Sequence, residues 1–338
     1  MRFLFSALVT GALTLSALTA QAGTKTEDIL DHHVLPGMQK LAENATALDA
    51  AARADCTAEN AALRAAYGTA FDAWIAVSHL RFGPAETQAR GFSLAFWPDT
   101  RGMTPKTLRS MIAGEDPVVE TAEGFATVSI AGRGFYALEL LLYDPETVTL
   151  GSETYRCALT RAITGDIAVT AADLSRDWQD NYAGLMRAPG PDGPYQSDAE
   201  VLQEFFKALT TGLEINADLR LGRPMGQVGK PRPLRAEARR SGRSLHHVVV
   251  SLTALRDLAA RLAVGEADLA ARLDHAFDIA LDRAAKLDDP VFAGVATPQG
   301  RLRVEVLQQA IAAIRTEASQ NLGPALGVAA GFNSLDGD

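Results

Sequence analysis

An all-α protein built as two helical-bundle halves, with a long ordered loop in the first half, is the fold class this sequence predicts. Three observations carry the prediction. Apolar residues recur at helical spacing: Leu63, Tyr67, Phe71, Trp74 and Val77 form one such set, and Leu269, Leu273, Phe277, Ala280, Ala284 and Leu287 form another. Val304, Leu307, Ile311, Ile314, Ala318 and Leu322 form a third. Each set marks one apolar helix face. The composition is rich in Ala and Leu, and no period-2 alternation extends beyond short pieces such as 126–130. Gly and Pro cluster between the periodic segments rather than inside them.

Taken in order, helices are expected near 26–53, 57–80, 118–143, 152–184, 197–221, 242–263, 266–287 and 300–322. Residues 81–105 hold Gly83, Pro84, Gly91, Pro98, Gly102 and Pro105 and read as the long loop, a feature often tied to function. The run APGPDGP at 188–194 cannot continue a helix, and RPMGQVGKPRP at 223–233 makes a second interruption. The break near 190 divides the chain into a leader, 1–22, a first bundle, 23–190, and a second bundle, 191–338.

The leader reads MRFLFSALVTGALTLSALTAQA: a basic Arg2, an apolar stretch, then Ala20-Gln21-Ala22. That is the pattern of a cleaved export signal with cleavage after Ala22, and it predicts a periplasmic protein. A membrane anchor fits less well, because the stretch is short and no charge cluster follows. No other apolar run reaches the roughly 20 residues of a transmembrane span. The 338 residues are 47% hydrophobic and 22% charged, which excludes a disordered chain. A net charge of −9 argues against a nucleic-acid partner. In an oxidising compartment Cys56 and Cys157 are expected to pair, although two buried thiols would also satisfy the sequence. A bridge across so long a loop stabilises by about 4–5 kcal/mol in the chain-entropy picture.

One stretch opposes the acidic background. Arg220, Arg223, Lys230, Arg232, Arg235, Arg239, Arg240 and Arg243 are met only by Glu237. It reads either as a site for an anion or acidic partner, or as a solvated connector that pairs with acidic faces elsewhere, the blander reading being preferred. The metal-protease, P-loop, dinucleotide and serine-hydrolase strings are missing. His32-His33 and His246-His247 are adjacent pairs that point to different sides of a helix, so they read as surface or capping groups.

The segment 130–146, IAGRGFYALELLLYDPE, is the most informative. Tyr136, Glu139 and Tyr143 share a stripe, and Glu139 sits inside LELLL. A carboxylate there must be hydrogen-bonded, paired, neutral or bound to a cation. A structural Glu paired with an Arg from a neighbouring helix and a functional Glu are equally consistent with the spacing. Gly132 and Gly134 permit close approach of another segment or a ligand.

Residues 134–139, GFYALE, resemble the GxHxxE signature of the imelysin family. So do Cys56 ahead of an aromatic helix with Trp74, Arg81-Phe82-Gly83-Pro84, Phe96-Trp97-Pro98, Ser241-Gly242-Arg243-Ser244, and the closing LG…LGV…GFNSLDGD. The resemblance covers nearly the whole mature chain. It implies an exported two-bundle protein whose relatives include iron-regulated envelope proteins and proteins ascribed peptidase activity. Gly134 and Glu139 match the signature, while Tyr136 stands at the histidine position. Tyrosine ligates ferric iron as phenolate but replaces imidazole poorly toward zinc. The expectation is therefore a non-enzymatic ligand-binding protein linked to iron or other metal uptake. Its ligand or metal ion would sit in the cleft between the halves. Tyr136 and Glu139 are the candidate metal ligands, and Gly134, Arg81, Trp97, Ser241 and Ser244 are further lining residues. Iron is the expected cofactor, with zinc less favoured. A metallopeptidase using His79 or His275 in place of the missing imidazole is the alternative, and an envelope interaction module without metal is the third class.

Overall fold

The computed structural model describes residues 22–328, so the leader up to residue 21 and the tail from 329, GFNSLDGD included, lie outside the described residues. Among the described residues there is no strand, only an isolated bridge between Gln227 and Lys230. The chain is all-α. Its principal helices are α1 (22–54), α2 (Ala61–Val77), α3 (Met103–Gly114), α4 (Gly134–Tyr143), α5 (153–187), α6 (198–225), α7 (Ser244–Leu262), α8 (Ala267–Ala285) and α9 (298–326). No helix among the described residues is long and apolar enough to cross a membrane.

The predicted apolar faces are the core. Leu63, Tyr67, Phe71 and Trp74 are buried on α2, Leu273 and Phe277 on α8, and Val304, Leu307, Ile311 and Ile314 on α9. Side-chain caps set several starts. Asn60 accepts from the Leu63 amide, Ser152 from Tyr155, Ser197 from Glu200, and Thr297, followed by Pro298, from Gly300. α1 packs on α2 and α5, and α4 lies on α5. α6 packs on α7 and α9, and α8 on α7 and α9. The α2–α7 contact joins the first group to the second. Cys56, just after α1, is joined to Cys157 on α5 with Cα atoms 5.2 Å apart.

Two sequence expectations are corrected. The segment 118–143 is not one helix: a 3-10 turn, a short helix at Ala122–Phe125 and a second 3-10 turn precede α4. Thr121 and Ser129 cap these turns with their hydroxyls and so compete with a continuous helix. The loop from 81 contains short helical turns, and α3 begins at Met103 before the loop's expected end. Asp99 accepts from the Met103 and Thr104 amides at 2.9 and 2.8 Å and so starts α3.

Four long helices each contain a π turn: Leu30–Val34 in α1, Trp178–Tyr182 in α5, Ile215–Leu221 in α6 and Ala318–Leu322 in α9. Such turns re-aim side chains and often mark functional positions. Here they carry His33, Tyr182 and Arg220 toward the polar interior.

Candidate functional site

The loop 81–105 and the start of α4 meet the segment between α6 and α7. Gly134 makes the junction possible. Its φ is +72°, and a Cβ on it would lie 2.3 Å from the carbonyl oxygens of Ser93 and Leu94. Arg133 then anchors α4 to α5 by two bonds to Asp166, 2.9 and 2.6 Å.

With α4 so fixed, the Tyr136 hydroxyl donates to Glu237 Oε1. Glu237 Oε2 accepts from Arg220 Nε at 2.6 Å, and both residues are buried. Arg220 Nη1 donates to Asn216 at 3.1 Å, and Asn216 Nδ2 donates to Ser251 at 2.8 Å. His247 Nδ1 lies 3.5 Å from Glu237 Oε2, too long for a good hydrogen bond. Burial by itself would raise the Glu237 carboxyl, but Arg220, His247 and Tyr136 outweigh it and hold the carboxyl far below its usual range. Burial and the Glu237 charge push the Tyr136 phenol well up, so it stays protonated and donating.

Glu139 is buried and takes a different partner. Its Oε1 accepts from the Ser241 amide at 2.9 Å and the Ser241 hydroxyl at 2.8 Å. Burial raises this carboxyl, partly offset by Ser241 and by Arg240. The neighbour from across the fold is thus a serine rather than an arginine in direct contact. Ser244 donates to the Glu237 carbonyl. Trp97 stacks near Tyr136, with ring centroids 6.4 Å apart. Arg81 stays exposed, although nearby protein lowers its guanidinium and the charges of Arg220, Tyr136 and Glu237 reach it.

The basic stretch pairs with acidic groups elsewhere, as the connector reading expects, but it is not solvated throughout. Arg220 is buried against Glu237, Arg240 pairs with Asp144, and Arg243 pairs with Asp72 on α2. Lys230, Arg232 and Arg235 stay exposed. His247 is fully buried rather than a surface group, and it stacks edge-on to Phe71 at 4.5 Å. Its place among the site residues was hidden in sequence because Tyr136, Arg220 and His247 lie from 10 to 101 positions away from Glu237, where they meet. His79 meets His33, Nε2 to Nε2 at 2.9 Å, and His275 is exposed on α8.

Beside this array is a cavity of about 270 Å³. Tyr136, Glu139, Trp97 and Asp99 line it, with Arg223, Arg235, Arg239 and Arg240. Arg223 lies 5.8 Å from the Trp97 ring centroid. Burial lowers Arg223 and Arg239, each aided by a neighbouring arginine, the mark of guanidinium groups crowded together. These residues do not fit a bare metal ion. The Tyr136 phenol is spent on Glu237, Glu139 is spent on Ser241, and cationic groups outnumber carboxylates on the wall. Among the described residues no cluster of three or more His, Cys, Asp or Glu could hold a metal.

The family model described as Imelysin matches residues 34–318, and the chain belongs to the imelysin family. It is 24% identical over 319 residues to iron-regulated protein A of Synechococcus elongatus, covering 88% of this chain and 85% of that one. A solved imelysin-like protein from Psychrobacter arcticum superposes with a TM-score of 0.80 at 20% identity, over 93% of this chain and 98% of that one. A solved structure from Parabacteroides distasonis gives a TM-score of 0.74 at 16% identity, over 91% and 95% of the two chains.

Proposed function

We propose that this protein is an exported imelysin-like binding protein of iron handling, and that its arginine-lined cavity takes a small polyanionic ligand rather than cleaving a peptide. The observation that carries this reading is the wall itself. Arg223, Arg235, Arg239 and Arg240 face Asp99 and Glu139, with Trp97 as an aromatic surface. Guanidinium groups recognise carboxylate and phosphate oxygens in pairs and gain strength when water is limited. Export rests on the leader at 1–22 and would place the protein in the periplasm. The iron link rests on the likeness to iron-regulated protein A. Iron would then reach this cavity inside an anionic chelate. The family's metal-dependent chemistry is disfavoured here because Tyr136 stands at the motif histidine and is committed to Glu237. The two bundles, divided near 190, would form the walls of the cleft.

The test is calorimetric titration of the mature chain with citrate, ferric citrate and inorganic phosphate. Saturable binding of a polyanion is expected, weakening with salt. Arg239→Ala and Arg235→Ala should each weaken it about tenfold or more, since a charge-assisted contact contributes roughly 1.5–3 kcal/mol. Binding that ignores both substitutions, or no saturable anion binding, would overturn the reading.

A further inference from the structure

The arginine-lined cavity is not cationic all round. Phe96, Trp97, Pro105, Leu140 and Leu234 make an apolar part of the same wall. The two parts meet at Trp97, whose indole is half-buried and lines the cavity. Its neighbours do not seal it. Tyr136 is offset, with ring planes 26° and centroids 6.4 Å apart. The Arg223 guanidinium carbon stands 5.8 Å from the ring centroid. Carbon atoms in full contact lie about 3.5–4.0 Å apart, so neither neighbour covers the indole face closely.

The guanidinium groups are equally unfilled. Of the four arginines on the wall, only Arg240 has an ion pair among those described, with Asp144. Arg223 Nε is buried and has no hydrogen-bond partner. A buried N–H without an acceptor carries a desolvation cost that a bound anion offsets. Asp99 on the same wall is already engaged, accepting from the Arg101, Met103 and Thr104 amides. The cavity therefore offers open guanidinium groups and an open aromatic surface side by side.

A flexible aliphatic polyanion would meet the guanidinium groups and leave the indole uncovered. A flat arene carboxylate meets both. Its ring lies on the indole, and its carboxylate, in the plane of the ring, faces a guanidinium fork. Its charges are also held rigidly, so little rotor freedom is lost on binding. At about 270 Å³ the cavity is at the small end for ligand sites, with room for one ring rather than a dinucleotide. We propose that Trp97 makes this cavity selective for a single-ring aromatic polycarboxylate, with the ring on Trp97 and the carboxylates on Arg223 and Arg239. This selectivity rests on the anion-binding reading of the same cavity and names the uncharged part of the ligand.

Calorimetric titration of the mature chain with benzene-1,3,5-tricarboxylate and with propane-1,2,3-tricarboxylate at neutral pH tests it. The two carry the same three carboxylates and differ in the ring. The benzene compound should bind about tenfold tighter or more. It should also change the tryptophan fluorescence through Trp97, since Trp74 and Trp178 are buried in the core. Trp97→Leu should bring the two affinities to within about threefold of each other, whereas Trp97→Phe, which keeps a ring, should retain most of the preference. Equal affinities in the parent chain, or a preference that survives Trp97→Leu, would overturn the selectivity and leave the anion reading standing. Binding of neither compound would overturn both. The parent comparison needs no variant, so it decides the question even where Trp97→Leu does not fold.

Discussion

Tyrosines line two cavities of this protein, Tyr136 one and Tyr182 with Tyr195 another of about 330 Å³, and their partners differ. Around Tyr136 the groups form a chain of partners, phenol on carboxylate, carboxylate on guanidinium, guanidinium on Asn216, and only the buried His247 beside them has ring nitrogens without a hydrogen-bond partner. Around Tyr182 the groups are left open, with two phenols on each other and Glu86 and Arg81 outside any described ion pair. A tyrosine is therefore no ligand by identity. Its partners decide whether the phenol oxygen is available, and the paired array around Tyr136 acts as a brace.

The comparison is broken hardest at Arg220. Arg220→Ala leaves the Glu237 charge buried without its cation, and a loss of roughly 3–5 kcal/mol is expected. Urea unfolding of this variant beside Arg220→Ala/Glu237→Gln measures it; the double variant should recover part of the loss. Gly83→Ala tests the open side. A Cβ there meets the Tyr182 ring, and φ is +57°, so a cost of about 1–3 kcal/mol is expected in urea unfolding. An unchanged midpoint in Gly83→Ala would show that the seat of Tyr182 does not matter. Tyr136→Phe removes one donor to an ionised carboxylate and should cost about 1.5–2 kcal/mol by the same measurement.

The smallest effect is the pH response. Burial lowers His79, with His33 adding to it, and burial lowers His247 against the pull of Glu237. Each therefore stays neutral when folded and takes a proton more readily when unfolded. Their contribution is intact above the unfolded value near 6.5 and is lost as pH falls below it, by about 1 kcal/mol per pH unit for each. Denaturant midpoints at pH 7.5, 6.5 and 5.5 should fall in that order, with a shallower slope in His79→Gln. Asp257, whose carboxyl burial would raise but His33 and Arg261 hold at about 2, adds a smaller loss below pH 4, screened by its exposure.

Much of the helical frame was legible because periodic faces and caps are local. Leu63 to Trp74 read as a buried stripe, and they are one. The segment 118–143 misled because its apolar content suits a helix while Thr121 and Ser129 stop it locally. At the site, Gly134, Tyr136, Glu139, Trp97, Ser241 and Ser244 stood out as landmarks, and the fold gathers them around α4 and the start of α7. Glu237 did not stand out, since one acid in a basic run looks like incidental charge. The contact of His33 with His79 gave no signal either, since nothing in a string brings position 33 to position 79. For Tyr182 and Tyr195 a cue existed: they flank the APGPDGP break, which folds the chain back on itself.

By itself the sequence determined the helical class, the buried faces, the family motif and its tyrosine, because these depend on spacing within a few turns. Only the tertiary structure decided which charges are spent and which are free. That outcome depends on partners brought from distant helices, on π turns that shift a side chain's aim, and on burial, which makes an answered charge a brace and an unanswered one a site.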